Sequence, residues 1–193
     1  MFIELTDHLR CPAPHDEAFL VLIPDAMRGR TVLQGSLGCP VCHRVYPIAD
    51  AVLAFGQAPP APEPGDVPPA EALLAFLGLE GPGGFVGLVG SAAARAADLA
   101  GLLPGVHCVA VNPPGSVRPS VSVSVVRSPR PPLKARSCRG LVLGAPEAGD
   151  PTWAEVVGAV LPGLRVTGQG APPARPGLDL LASADGWWVA RGS

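Results

Sequence analysis

Six of the thirteen residues in "QAPPAPEPGDVPP" (57–69) are proline, and no other feature constrains the chain as much. Each proline fixes φ and removes a backbone donor, so this stretch enters neither a helix interior nor a central strand. An extended, semi-rigid connector is expected there. It divides the 193 residues into a module over 1–56 and a module over 70–193. The first is so small that apolar burial alone leaves it marginal, and a bound metal would supply what its core lacks.

Five cysteines, Cys11, Cys39, Cys42, Cys108 and Cys138, form an odd and uneven set. In a cytosolic chain this pattern points to a metal before disulfides. "CPAPHDEAFL" (11–20) begins like half of a zinc knuckle, and "CPVCHRVYPI" (39–48) supplies an intact Cys-x-x-Cys. Pro14 stands where the second thiol of the first half is expected. Zinc takes four N or S ligands in a tetrahedron, and two distant tight turns supply them at low entropic cost. Cys11, Cys39 and Cys42 are three candidates. His15 is the fourth, because Cys-x-x-x-His spacing brings its imidazole to the metal; His43 and His8 are poorer choices. Such a closed site is structural. An empty hydrophobic ribbon and redox chemistry at the thiols are the alternatives.

Within the first module "FIEL", "AFLVLI" and "TVLQGSL" read as strands, and "VYPIADAVLAF" reads as an edge strand carrying a proline. The second module alternates. "PPAEALLAFLGLEG" predicts a helix and "GFVGLVG" a buried strand. "SAAARAADLAGLL" predicts a helix with Ser91 as N-cap, and "GVHCVAVN" a second buried strand. "VSVSVV", "RGLVLGA" and "GLRVTGQ" continue as strands around the capped helix "DPTWAEVVGAVL". "GLDLLASADGWWVARG" predicts a hairpin turning at "ADG". The expected fold is a small β-rich ribbon followed by a mainly parallel, Rossmann-like α/β sheet with a C-terminal β-hairpin.

Residues 1–56, with "LRCP" and then "GSLGCPVCHRVYPIADAVLAF", resemble the zinc ribbon of the tRNA-methyltransferase activator-subunit family. Cys39, Pro40, Cys42, Tyr46, Pro47, Ile48 and Asp50 follow its pattern in order. Pro14 departs from it where a second Cys is common, and Ala51 where Gly usually follows the Asp. The resemblance implies a non-catalytic module that docks on class I methyltransferases through β-pairing and apolar contacts. Residues 70–193 in turn resemble those S-adenosylmethionine-dependent methyltransferases. The strand–Gly turn–helix–strand order over 85–111 carries this, as does "LVLGAPEAG…TWAEVVGAVLPGLRV", where Gly163 and Arg165 match a family turn and Leu164 replaces a Gly. The family's first turn has an acid two places before Gly-x-Gly-x-Gly. Here those positions hold Leu88, Gly90, Ala92 and Ala94, and Asn112 stands where an acid binds ribose hydroxyls. If a cofactor is held, Gly90, Ser91 and Asn112 would hold it.

The formal charge of −2 argues against wholesale nucleic-acid affinity. Between Asp98 and Glu147, however, no acid occurs, while Arg118, Arg127, Arg130, Lys134, Arg136 and Arg139 all fall there. That stretch, Arg118–Arg139, offers RNA a surface. No apolar run reaches the roughly 18 residues of a membrane span, and "MFIELTDHLR" lacks the marks of a signal peptide. A cytoplasmic protein that does not engage membranes is expected. No Ser-His-Asp arrangement is placed by the sequence, and Trp153, Trp187, Trp188 and Cys108 read as core. Cys138, beside Arg136 and Arg139, would carry a lowered pKa if exposed. The leading expectation is a non-catalytic interaction or methyltransferase-activator-like scaffold with a structural zinc and a protein partner. The alternative is an active methyltransferase with an atypical S-adenosylmethionine pocket.

Overall fold

The computed structural model describes residues 1–57 and 59–192. Ala58, in the proline-rich stretch, and Ser193, at the end of the second module, lie outside the described residues. The N-terminal module forms four antiparallel strands: β1 (Val21–Arg28), β2 (Thr31–Gly38), β3 (Val45–Ala49) and β4 (Val52–Ala54). Leu22, Leu37 and Tyr46 share one cross-strand row and pack on the core, while Val21, Gly38 and Val45 share the next row on the outer face.

Two local expectations are corrected here. "FIEL" is not a strand but the start of a 3-10 turn over Ile3–His8, with Phe2 alone bridging to Thr31. A strand would put Asp7 on the same inward face as Leu5 and Leu9; the turn buries both leucines and leaves Asp7 exposed. "VYPIADAVLAF" is a hairpin, β3 and β4, not one edge strand. Asp50 and Ala51 both take positive φ, 50° and 62°, as a two-residue type I′ turn requires. Pro47 is tolerated inside the sheet because β4 pairs only with Ile48 and Ala49 and stops short of it.

The second module contains α1 (Ala70–Leu77), β5 (Phe85–Val89), α2 (Ala96–Leu102), β6 (His107–Val111), β7 (Val123–Arg127), β8 (Gly140–Leu143) and β9 (Arg165–Gln169). It closes on β10 (Leu178–Ala184) and β11 (Trp187–Gly192). Strands β7, β6, β5, β8 and β9 lie parallel in that order, and β11 and β10 complete the edge as an antiparallel hairpin. Its turn is Asp185–Gly186, again with two positive φ values. This is a doubly wound α/β sheet, and its order reverses between β5 and β8. Ser91 does not cap a helix: residues Gly90–Arg95 run as a 3-10 segment before α2 begins, drawn tight by Ser91 N–H donating to Ala145 O at 2.8 Å. Pro151–Ala159 is also 3-10, with Asp150 accepting from Thr152 N–H at 2.8 Å.

The two modules share one eleven-stranded sheet, because β4 pairs in parallel with β7, Val52 opposite Val125 through Ala54 opposite Arg127. A second seam runs beside it. Arg10 N–H donates to Pro132 O at 2.8 Å, Lys134 N–H donates to His8 O at 2.9 Å, and Leu9 bridges Leu133. Along β5 and β6, Val86, Leu88, Cys108 and Ala110 face α1 and α2. Phe85, Val89, Val109 and Val111 face the other way, into a continuous core with Met1, Leu5, Leu9, Trp153 and Val156. A doubly wound sheet needs both faces covered; here residues 1–11 form part of that cover.

Candidate functional site

The two knuckles meet. Among the described residues, Cys11, His15, Cys39 and Cys42 bring one donor atom each to within 4.8 Å of one another. Cys11 Sγ and Cys42 Sγ are 3.7 Å apart, and Cys39 Sγ is 3.3 Å from His15 Nε2. Zn–S bonds of about 2.3 Å at tetrahedral angles separate two sulfurs by about 3.8 Å, so the spacing fits a tetrahedral ion. His15 Nδ1 lies 2.7 Å from the Asp16 carbonyl, which only accepts. Nδ1 therefore carries the proton, and Nε2 presents its lone pair to the thiols. The Arg44 backbone N–H holds the Cys42 thiol down to about 6, while burial raises that of Cys11. The knuckle closes through His43 N–H to Cys39 O at 2.9 Å, with His43 at φ 58° and its side chain exposed. His8 turns to Ser137 O, 3.0 Å away, and the Phe85 ring. Neither joins the cluster.

Gly90, Ser91 and Asn112 also come together, at the carboxyl ends of β5 and β6. Gly90, at the end of β5, borders the switch point between β5 and β8, where ligands of open α/β sheets lie. Gly90 has φ 64°, and a Cβ there would collide with the Glu147 carboxylate and meet Ala145 O at 2.5 Å. Asn112 is fully buried and spent internally. Its amide donates to Ser128 O at 2.8 Å and Glu147 Oε1 at 2.9 Å, and its oxygen accepts from Ser128 N–H at 2.8 Å. Burial pushes the Glu147 carboxyl above the usual carboxylate range, and its second oxygen has no partner among the described residues. The proline-rich stretch lies over this end of the sheet. Pro59 and Pro60 face Pro146 and Glu147 across an open groove, Gly65 lies over the Ser91 side chain, and Val67 O accepts from Arg95 at 3.1 Å. The space beside Gly90 is thus lined by Glu147 and Ala145 of the chain itself. Beside it, a cavity of about 600 Å³ opens at the ends of β8 and β9, between Leu143–Ala154 and Gln169–Ala174.

The basic stretch does not form one free surface. Arg118 turns back to the carbonyls of Gly115 and Val117, Lys134 lies 4.2 Å from the Phe19 ring centre, and Arg127 is half-buried. Arg139 donates to the carbonyls of Glu80, Gly81, Pro82 and Gly83. Arg118, Arg130 and Arg136 are exposed. Cys138 is buried, and burial pushes its thiol up to about 11, the reverse of what its arginine neighbours suggest. Burial likewise raises Cys108 to about 12. The three tryptophans are buried.

Two participants are not legible as such in the sequence. Tyr46 belongs to the matched pattern, but only the fold brings its hydroxyl within 2.9 Å of Cys11 Sγ. Glu147 carries one signal: it is the lone acid in the stretch between β8 and Asp150.

No protein-family model matches this chain, and no curated protein matches it. Among solved structures it is similar to the antibiotic-resistance methyltransferase Kmr, at 17% identity and a TM-score of 0.42, over 64% of this chain and 92% of that one. It is also similar to a predicted O-methyltransferase from Agrobacterium tumefaciens, at 12% identity and a TM-score of 0.42, over 62% and 79% of the two chains. A third is phosphoethanolamine N-methyltransferase 2 of Haemonchus contortus in complex with S-adenosyl-L-methionine. There identity is 14% and the TM-score 0.41, over 55% of this chain and 30% of that one.

Proposed function

We propose that this chain is a non-catalytic interaction protein: a methyltransferase-like α/β domain with its crevice closed from within, carrying a structural zinc ribbon in cis. The observation that carries the reading is the filling of the Gly90 turn by Glu147 and Ala145 O, with the Asn112 amide consumed by Glu147 and Ser128. A cofactor-binding turn keeps its glycines so that the protein backbone approaches the ligand closely; here that approach is occupied by protein. The ribbon half rests on the four donors around one point and on the parallel β4–β7 pairing. Docking through β-pairing is what the activator-subunit resemblance implies between two proteins, and in this chain both sides of such a pairing lie in one polypeptide. The zinc has a structural role, since all four positions of the tetrahedron are taken by protein ligands.

A second reading, an active methyltransferase, draws on the cavity of about 600 Å³ at the ends of β8 and β9, where a ligand has room beside the blocked turn. Calorimetric titration of the zinc-loaded protein with S-adenosylmethionine and with its demethylated product separates the two. No heat and no thermal stabilisation are expected. Micromolar binding, lost on changing Glu147 or Asn112, overturns the proposal in favour of the enzyme.

A further inference from the structure

An open groove of about 490 Å³ runs where the knuckles, the tail of the ribbon and the loop after β7 meet. Its walls include Pro12, Pro14, Pro47 and Pro129, and Tyr46 and Phe55 also line it. Pro14 is the residue that replaces the expected thiol of the first knuckle. The metal cluster does not use it; its ring instead lines this groove. Proline walls offer no N–H donors and are held by fixed φ, so the surface is apolar and pre-organised. Ordering it on binding costs little.

The donors come from two arginines, Arg44 from the ribbon and Arg130 from the α/β module, both lining the groove and both exposed. Neither side chain enters an ion pair or hydrogen bond among the described residues, and no carboxylate lines the groove. Such a site presents two guanidinium groups, free of ion pairs among the described residues, over an apolar floor. Its complement is anionic and apolar together. We infer that this groove docks an acidic segment of a protein partner, with carboxylates meeting Arg44 and Arg130 and an apolar side chain between the prolines. The inference rests on the reading of the chain as an interaction protein and names where the partner sits.

RNA fits the groove less well. Sequence-tolerant binding of single strands needs aromatic faces open to stacking, and Tyr46 and Phe55 are only 5% and 2% exposed. Three of the six basic residues of the Arg118–Arg139 stretch, Arg127, Lys134 and Arg139, are buried or half-buried, and the exposed Arg118 folds back on the carbonyls of Gly115 and Val117.

The test is fluorescence anisotropy on the full, zinc-loaded chain at physiological salt. The probes are a labelled (Glu-Leu-Glu-Pro)₃ peptide, its (Lys-Leu-Lys-Pro)₃ counterpart and an oligouridine of the same length. The chain is compared with an Arg44→Ala/Arg130→Ala variant and with an Arg28→Ala/Arg191→Ala variant of equal net charge. All four arginines are exposed, so unchanged melting is expected. The acidic peptide should bind the unaltered chain about tenfold more tightly than the Arg44/Arg130 variant, as loss of two exposed charge contacts implies. The Arg28/Arg191 variant should bind like the unaltered chain. Equal weakening in both variants overturns the groove, as does tighter binding of oligouridine or of the lysine peptide. Absence of saturation by the acidic peptide up to about 1 mM, the weak end of specific affinity, overturns it too. Heat on titration with S-adenosylmethionine would sink the underlying reading whatever the peptide does; failure of the peptide with a silent cofactor titration sinks the groove alone.

Discussion

The Tyr46 hydroxyl lies 2.9 Å from Cys11 Sγ. The same ring meets Phe55 edge-on with centroids 4.7 Å apart, and Phe55 N–H donates to Arg127 O of β7 at 2.8 Å. One aromatic side chain therefore touches the Cys/His cluster on one side and the seam between modules on the other. A hydroxyl donated to a metal-bound thiolate fixes that ligand's orientation. Tyr46→Phe is expected to weaken zinc retention roughly tenfold against a competing chelator, with the four ligands intact.

Direct loss of ligands is expected to be graded. Cys39→Ser removes a buried thiol and should abolish zinc in metal analysis of the purified protein. His15→Ala removes the half-exposed ligand and should lower affinity by at least roughly a hundredfold while leaving the three thiols in place. Unchanged zinc content in His15→Ala would remove His15 from the ligand set.

Gly90→Ala tests the filled crevice. Its Cβ has nowhere to go between the Glu147 carboxylate and Ala145 O, and φ 64° is strained for any L side chain. A loss of about 3 kcal/mol is expected, read from chemical denaturation. A near-neutral effect would mean that the loop over Gly90 is free to move aside.

Glu147 gives stability a pH dependence of defined sign. Burial raises its carboxyl pKa in the folded state, so the folded chain holds that proton more tightly than the unfolded chain. Its contribution is greatest below the ordinary carboxylate range and falls as pH rises through the folded value. Glu147→Gln mimics the protonated form and should flatten this slope, raising the melting temperature at neutral pH. An unchanged profile would show that the carboxyl is solvated.

His107 works in the opposite direction. Burial, and then the nearby N-terminal ammonium, lower its pKa to about 4. Its Nε2 lies 2.8 Å from Ser124 Oγ, which also accepts from Phe2 N–H at 2.9 Å, and its ring stacks on Phe2 with centroids 4.5 Å apart. The neutral form is the folded form. Stability is whole above the unfolded value near 6.5 and declines as pH falls toward about 4, by about 2 kcal/mol once residual solvent contact is discounted. His107→Gln should reduce that acid limb in melts between pH 7 and 4.

Period and punctuation made most of the elements of the second module legible: β5 and β6 are short apolar runs, α1 begins after Pro69, and β10–β11 turn at Asp185–Gly186. The grouping of Cys11, His15, Cys39 and Cys42 was legible because each knuckle's spacing is local. What escaped was decided by distant partners. Ile3–His8 coils instead of extending because Leu5 and Leu9 find a core built by β5 and β6. Ser91 is no cap because Gly90–Arg95 runs as a 3-10 segment tied by the Ser91 N–H to Ala145, 54 residues away, and its hydroxyl makes no capping bond among the described residues. Cys138 lies under the sheet and not beside its arginines, and no local pattern marks Glu147 as the partner of Asn112.

The parallel step from β4 to β7 changes what kind of quantity the ribbon's attachment is. Between separate proteins such a contact has a dissociation constant and can be shared, titrated or lost by dilution. Within one chain, joined by a short proline-rich tether, it is an intramolecular equilibrium, with an effective concentration on the order of millimolar from the tether alone. Dilution leaves it unchanged, and a competing strand has to outbid the tether to reach the β7 edge. The free edge of β4 is thus occupied by β7 of the same chain. Any additional partner must be met on a surface that this pairing leaves open.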